Sequence, residues 1–241
     1  ENATGIKALS TGGDGGSAGF SVAGSASLNG GMNFSLGRSG GDGNLSGDVR
    51  VISNAEISTS NVGAQGIFAQ SLAGSGGDGG FTATGGLSAS NTINLTVGGG
   101  GGSGNRAGTV TVGSFGSIVT QGDNAKGIQA VSQGGNGGNA GIAAAAQLSY
   151  APGYQPGSTG GNINVVVGRG GGSSGQGELV TVVNNGEITT SGKNAQGIYA
   201  QSIGGDGGTG GYSYSGSFAF GGSSNQLGFT LGGSGGSGAT G

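Results

Sequence analysis

The chain has 241 residues, of which 68 are glycine and 7% are charged, with a net charge of −3 and no cysteine. Glycine at this share, against about 7% in ordinary proteins, is costly to order and argues against a compact globule with a large aliphatic core. The seven basic residues are scattered, which excludes a nucleic-acid patch; the missing cysteines exclude a disulfide framework and thiolate chemistry.

Three other classes fall away. Disordered chains are charge-rich and poor in β-branched residues, whereas the stretches between glycines here are full of Val, Ile, Thr, Phe and Ala. Collagen needs glycine at every third position and abundant proline, a pattern this chain lacks, with Pro152 and Pro156 its only prolines. No run of about 18 apolar residues marks a membrane-spanning helix. The N-terminal stretch ENATGIKALS carries no signal-peptide pattern, and the chain reads as a single repeat array, 1–241, cut from something longer.

In chain order, the first predicted strand lies in GIKALST at 5–11, followed by GGDGG. FSVAGSASL at 20–28 and NFSLG at 33–37 alternate next, the latter placing Phe34 and Leu36 on one face. Val49 and Val51 share a face of a fourth strand, and Ile57 precedes the next Gly-Ile by nine residues. The same series recurs. Gly-Ile pairs begin at Gly5, Gly66, Gly127 and Gly197, spaced by 61, 61 and 70 residues. From Gly37, Gly98 and Gly168 to the following Gly-Ile is 29 residues each time, without gaps. Val49, Val110 and Val180 align there, as do Val51, Val112 and Val182, then Ile57, Ile118 and Ile188. Ile6, Ile67, Ile128 and Ile198 complete the predicted core columns. IAAAAQL at 142–148 has helical propensity, but its place opposite three strand patterns favours a strand.

Strands too short to enclose a core bury their inner faces by stacking coil on coil. The predicted fold is therefore all-β: a parallel β-solenoid, or β-helix, with glycine-rich turns. Its units are 5–65, 66–126, 127–196 and a partial 197–241, each taken as two or three coils of roughly 20 to 30 residues. The nine extra residues of the third unit fall in YAPGYQPGST, an insertion loop at 150–159. Polyglycine bundles decorating the solenoid are a further option for the GG-rich runs.

The stretch VTVVNNGEITTSGKNAQGIYAQSIGGDGGTGG at 180–211 resembles passenger-domain repeats of bacterial autotransporter (type V secreted) surface proteins. The resemblance covers nearly the whole chain and is tightest in the 29-residue windows. It implies a long right-handed β-helical stalk, exported across both membranes and anchored by a C-terminal β-barrel. It implies an extracellular location on the bacterial surface and carries no catalytic residues.

Candidate sites are few. Asp14, Asp78 and Asp206, with Asn136 in the remaining copy, are candidate calcium ligands, since Asp in glycine-rich nonapeptides binds calcium in β-rolls. They recur about sixty residues apart rather than nine, so turn residues are the favoured reading. Among the ten acids only Asp42 and Asp48 cluster locally, Glu56 and Glu187 hold matching repeat positions, and histidine is absent, so no enzyme and no cofactor are expected. GRGGGSSGQG at 168–177 lacks the GK[ST] ending of a phosphate loop. Asn33, Asn94 and Asn164 are expected to stack by side-chain hydrogen bonds at a coil turn; two of them are also glycosylation sequons. Tyr150 and Tyr154 mark a candidate interaction loop. Thr pairs such as Thr82/Thr84 raise recognition of ice only if they form an ordered outward ladder.

The expected function is a structural stalk or filament segment of a surface adhesin. The alternative is a binding module whose solenoid face recognises glycan or another surface. Expected partners are other copies, along or between solenoids, and a host or surface glycan. Nucleic acid and direct membrane insertion of this segment are not expected.

Overall fold

A computed structural model describes residues 3–150, 160–220 and 224–241. Among these there is no helix; eighteen strands form five sheets, and every pairing is parallel. The first coil holds β1 (Ile6–Thr11), β2 (Ser21–Ser27), β3 (Gly31–Leu36), β4 (Val49–Ser53) and β5 (Ile57–Thr59). The second repeats it as β6 (Ile67–Leu72), β7 (Thr82–Ser88), β8 (Thr92–Val97), β9 (Val110–Ser114) and β10 (Ile118–Thr120). The third holds β11 (Ile128–Gln133), β12 (Ala143–Tyr150), β13 (Gly160–Val167), β14 (Val180–Asn184) and β15 (Ile188–Thr190). The fourth contributes β16 (Ile198–Ile203), β17 (Ser213–Phe220) and β18 (Ser224–Leu231). The parallel β-solenoid expected from the repeat is thus the fold.

Its coil is larger than expected. Ile6 pairs with Ile67, Ile67 with Ile128 and Ile128 with Ile198, so one repeat unit is one coil. A coil of 20 to 30 residues is corrected to one of 61 or 70, because the glycine runs are long extended spans and not turns. With strands about 4.8 Å apart, the four coils rise only about 19 Å along the axis.

The glycine runs obey a three-residue rule. In 12–20 and its copies, the first N–H of each triplet bonds up the stack: Gly12 to the Leu72 carbonyl and Gly15 to the Ser75 carbonyl, both at 2.8 Å. The second bonds sideways to the run returning along 37–48, as Gly74 to Asn44 (2.9 Å), Gly77 to Gly41 (2.8 Å) and Gly80 to Arg38 (2.9 Å). The third side chain points out. Three residues per turn is the period of the extended polyproline II geometry, and here such spans hydrogen-bond into a bundle, the polyglycine option raised by the sequence. Space is short at most inner positions: a Cβ on Gly76 would lie 1.9 Å from the Gly102 carbonyl oxygen, and one on Gly77 2.3 Å from that of Gly16, although alanine stands at the first position in Ala18, Ala73 and Ala140. Left-handed φ is needed elsewhere, as at Gly63, Asn124 and Asn194, which share one column of the loop before each Gly-Ile.

The bundle joins two lobes. In the first, β1, β4, β5 and their copies enclose an aliphatic core of Val49, Val51, Ile57, Ile67, Val110, Val112, Ile118 and Ile128, with Ile6, Val180, Val182 and Ile188 partly buried against it. All match the predicted columns. Ile198 stacks on Ile128 yet is 47% exposed, because the fourth coil has no counterpart of β4 and β5 in this sequence to cover it. Gly5, Gly66 and Gly127 before these isoleucines are fixed by the same packing, since a Cβ on Gly66 would lie 2.4 Å from the Ile118 Cγ2.

Candidate functional site

The second lobe packs β2, β7, β12 and β17 against β3, β8, β13 and β18, and its interior is mainly polar, with a small apolar cluster of Ala143, Ala145 and Val166. Asn33 donates to the Asn94 side-chain oxygen (2.8 Å) and Asn94 to that of Asn164 (2.7 Å). Gln147 accepts from Asn94 across the sheets, and Thr84 and Thr96 hydroxyls meet at 2.5 Å. The expected asparagine stack therefore exists, but inside strands β3, β8 and β13 rather than at a coil turn. Its members are buried, which leaves the Asn33 and Asn94 sequons no room for a glycan. Thr82 and Thr84 point into this interior as well, so they form no outward ladder.

The aspartates sit on the outward position of the glycine triplets, where their register differs from the sequence alignment. Asp14, Ser75, Asn136 and Asp206 form one column, while Asp78 stands one triplet further on, with Ser17, Asn139 and Thr209. Ser75, not Asp78, is the counterpart of Asp14, because Ala73-Gly74-Ser75 is itself a triplet. Nor are these residues turn formers in left-handed backbone; none has positive φ. Four aspartates cap the coil above them. Asp14 accepts the Ser75 N–H (2.8 Å), Asp42 that of Ser103 (2.7 Å), Asp48 that of Thr109 (2.8 Å) and Asp78 that of Asn139 (2.8 Å). This satisfies the outward N–H that the bundle itself leaves unbonded. Among the described residues, no three His, Cys, Asp or Glu side chains come together as a metal site.

The Asp48 carboxyl is held below the ordinary aspartate range, first by the Thr109 backbone N–H, then by the Thr109 side chain and the Arg106 charge. Asp42 and Asp48 lie two triplets apart on an extended run, about 19 Å at ~3.1 Å per residue, too far to act as an acid–base pair. Glu56 and Glu187 are exposed in the same column two coils apart, with Ser117 between them. The 168–177 run is part of the glycine bundle, its Gly172 and Gly175 bonded to Gly138 and Gly135. Of the candidate interaction loop, Tyr150 ends β12 with 63% exposure, and Tyr154 lies outside the described residues. Lys126 lies 5.0 Å over the Tyr199 ring, a cation–π contact between neighbouring coils.

The surface itself holds the feature that sequence reasoning missed. Alternation places Phe34 and Leu36 together, and in the structure that face of β3 points to solvent. Met32, Phe34 and Leu36 are 76%, 57% and 52% exposed, and their copies on β8, β13 and β18 extend the same columns. On the opposite side of the lobe, Val22, Leu87, Leu148, Tyr214 and Phe218 also face out. Mostly polar side chains fill the inside and apolar ones cover both outsides. A signal was available: residues 15–37, 79–105, 127–168 and 207–241 contain no charged side chain, so every charge lies outside these strands. Exposed apolar area on this scale marks an interaction surface.

No protein-family model, curated protein or solved structure matches this chain.

Proposed function

We propose that this chain is a structural segment of an extracellular β-solenoid on a bacterial surface, a stalk or filament piece of an autotransporter-type adhesin with a mechanical task. The observation that carries this reading is the continuity of the axial hydrogen bonding. Strands bond coil to coil, glycine runs bond coil to coil between them, and outward Asp and Asn side chains close the third N–H of the triplets. The perimeter is therefore stitched to its neighbours through both strands and glycine runs. Stiffness is bought at low rise, so a long stalk of this type needs many coils. The autotransporter assignment rests on the repeat resemblance.

A binding module is the second reading, favoured by the exposed Tyr150, Tyr212, Tyr214, Phe218 and Phe220 on one side of the second lobe, rings of the kind that stack on sugars. Pulling a single molecule by its ends tests the structural reading. Peeling one 61-residue coil releases about 200 Å of chain at ~3.4 Å per residue, so a sawtooth with steps near 200 Å, and a longer one for the 70-residue coil, is expected. Featureless extension at low force, together with saturable binding to a glycan array, would overturn it in favour of the binding module.

A further inference from the structure

The two outer faces of the second lobe differ in relief. On the face of β3, β8, β13 and β18, the central column is Phe34, Leu95, Val165 and Phe229, flanked by columns headed by Met32 and Leu36. These columns are large apolar side chains throughout, a ribbed ridge. On the face of β2, β7, β12 and β17, one column is Gly24, Gly85, Ala146 and Gly216. It floors a groove of about 590 Å³ walled by Leu87, Leu148 and Phe218. A Cβ added at Gly85 or Gly216 would meet nothing within 4 Å. The ridge and the groove lie on opposite sides, because the inward side chains of the two sheets meet between them, as Ser21 does with Ser35 at 3.1 Å.

Three observations say what covers these faces. The ribs repeat at the strand spacing of about 4.8 Å, and a surface with the same period over its whole height is another copy of this solenoid, as in the matched sheets of a steric zipper. The lobe carries no charge in its strands, so pairing two lobes strips water from no ion and sets no like charges together. A lipid interior fits poorly. β3 and β18 end one sheet and β2 and β17 the other, each presenting backbone groups with no sheet partner in this chain, which hydrocarbon does not tolerate.

We infer that a second copy of this chain docks its Phe34-column ridge into the Gly24-column groove, so that solenoids pack side by side. The contact is heterologous, leaving a free ridge at one side and a free groove at the other, and it builds an open lateral array rather than a closed dimer. Four strands at about 4.8 Å by five residues at about 3.3 Å give a ridge near 300 to 400 Å² per copy. A stable interface buries about 800 Å² per partner, so one four-coil segment associates weakly and the contact strengthens with each added coil. This deepens the structural reading above by naming its lateral partner.

Sedimentation of the chain, alone and as Val165→Glu and Gly85→Leu variants, tests it, with circular dichroism and Tm reporting that each variant folds and Val165→Thr as the milder substitute. The unaltered chain is expected to form concentration-dependent oligomers, and each variant to weaken association at least tenfold. An equimolar mixture should restore pairing between the intact groove of the first variant and the intact ridge of the second, and stop at dimers. A tandem of two chain lengths should associate more than tenfold more tightly than one. Unchanged association of Gly85→Leu would mean ridge packs on ridge and would overturn the proposal. So would a chain that stays monomeric at millimolar concentration, or one that is monomeric in solution and sediments with phosphatidylcholine vesicles. Either variant should keep the stepwise unfolding under force, so a failure of lateral docking leaves the mechanical reading standing.

Discussion

Replacing Gly77 by alanine places a methyl group 2.3 Å from the Gly16 carbonyl oxygen and 2.5 Å from its carbon, both backbone atoms of the coil below. Ordinary contact begins near 3.4 Å, so the two runs must part by about 1 Å. That movement breaks the bond from Gly77 N–H to Gly41 and the one Gly77 accepts from Gly102, both now 2.8 Å. At about 1 kcal/mol each, with overpacking of about 1–3 kcal/mol and an offset of about 0.4–1 kcal/mol from the stiffer unfolded chain, the net loss is roughly 2–4 kcal/mol. Gly16 supplies the control. It stands in the same column one coil earlier, yet a Cβ there meets nothing within 4 Å, so Gly16→Ala should be neutral or slightly stabilising. Urea-unfolding midpoints of the two variants, with hydrogen exchange at the Gly102 amide, make the comparison. Equal midpoints and unchanged Gly102 protection would refute the reading that these glycines are selected by space.

Asn94→Ala removes the centre of the buried ladder, leaves the Asn33 amide only its longer bond to the Gly85 carbonyl, and takes a donor from the oxygens of Asn164 and Gln147. A loss of roughly 3 kcal/mol by urea unfolding is expected, and a loss below about 1 kcal/mol would show the ladder to be idle. Ile128→Ala, at a fully buried site, should cost about 2–5 kcal/mol, whereas Ile198→Ala, half-exposed at the end of the same column, should cost less than half of that. Asp48 should titrate below the ordinary aspartate value of 3.8 in carboxyl NMR. Because its folded pKa is depressed, its capping of Thr109 favours the fold above the ordinary value and is lost as pH falls through the lowered one; a midpoint at or above 3.8 contradicts the contact. Deleting 66–126 joins Gln65 to Gly127 in unchanged register, so the shortened chain should keep its β-sheet circular dichroism; loss of that signal would refute one unit per coil.

Much of the first lobe was legible in the sequence. Gapless 29-residue windows identify which residues stack, and in the columns of Val49, Ile67 and Ile118 the stacked apolar side chains form the buried core. The asparagine column was legible too, since three copies at one position offer each other a donor and an acceptor. The Asp78 register was not, because a triplet run tolerates Ala73-Gly74-Ser75 where Gly12-Gly13-Asp14 stands, and only the hydrogen bonds show the two to be equivalent.

By itself, then, the sequence determined the all-β repeat, its 61-residue period and the aliphatic columns, because those follow from local alternation and exact recurrence. Only the tertiary structure decided that one unit makes one coil and that the glycine runs form a hydrogen-bonded bundle, since both depend on which distant carbonyl each N–H finds. It also decided the polarity of the second lobe. Alternation in Asn33-Phe34-Ser35-Leu36 separates two faces without saying which is inside. The stacked asparagines and the Thr84–Thr96 pair bond one another in the interior, and the apolar faces are left for whatever the lobe meets.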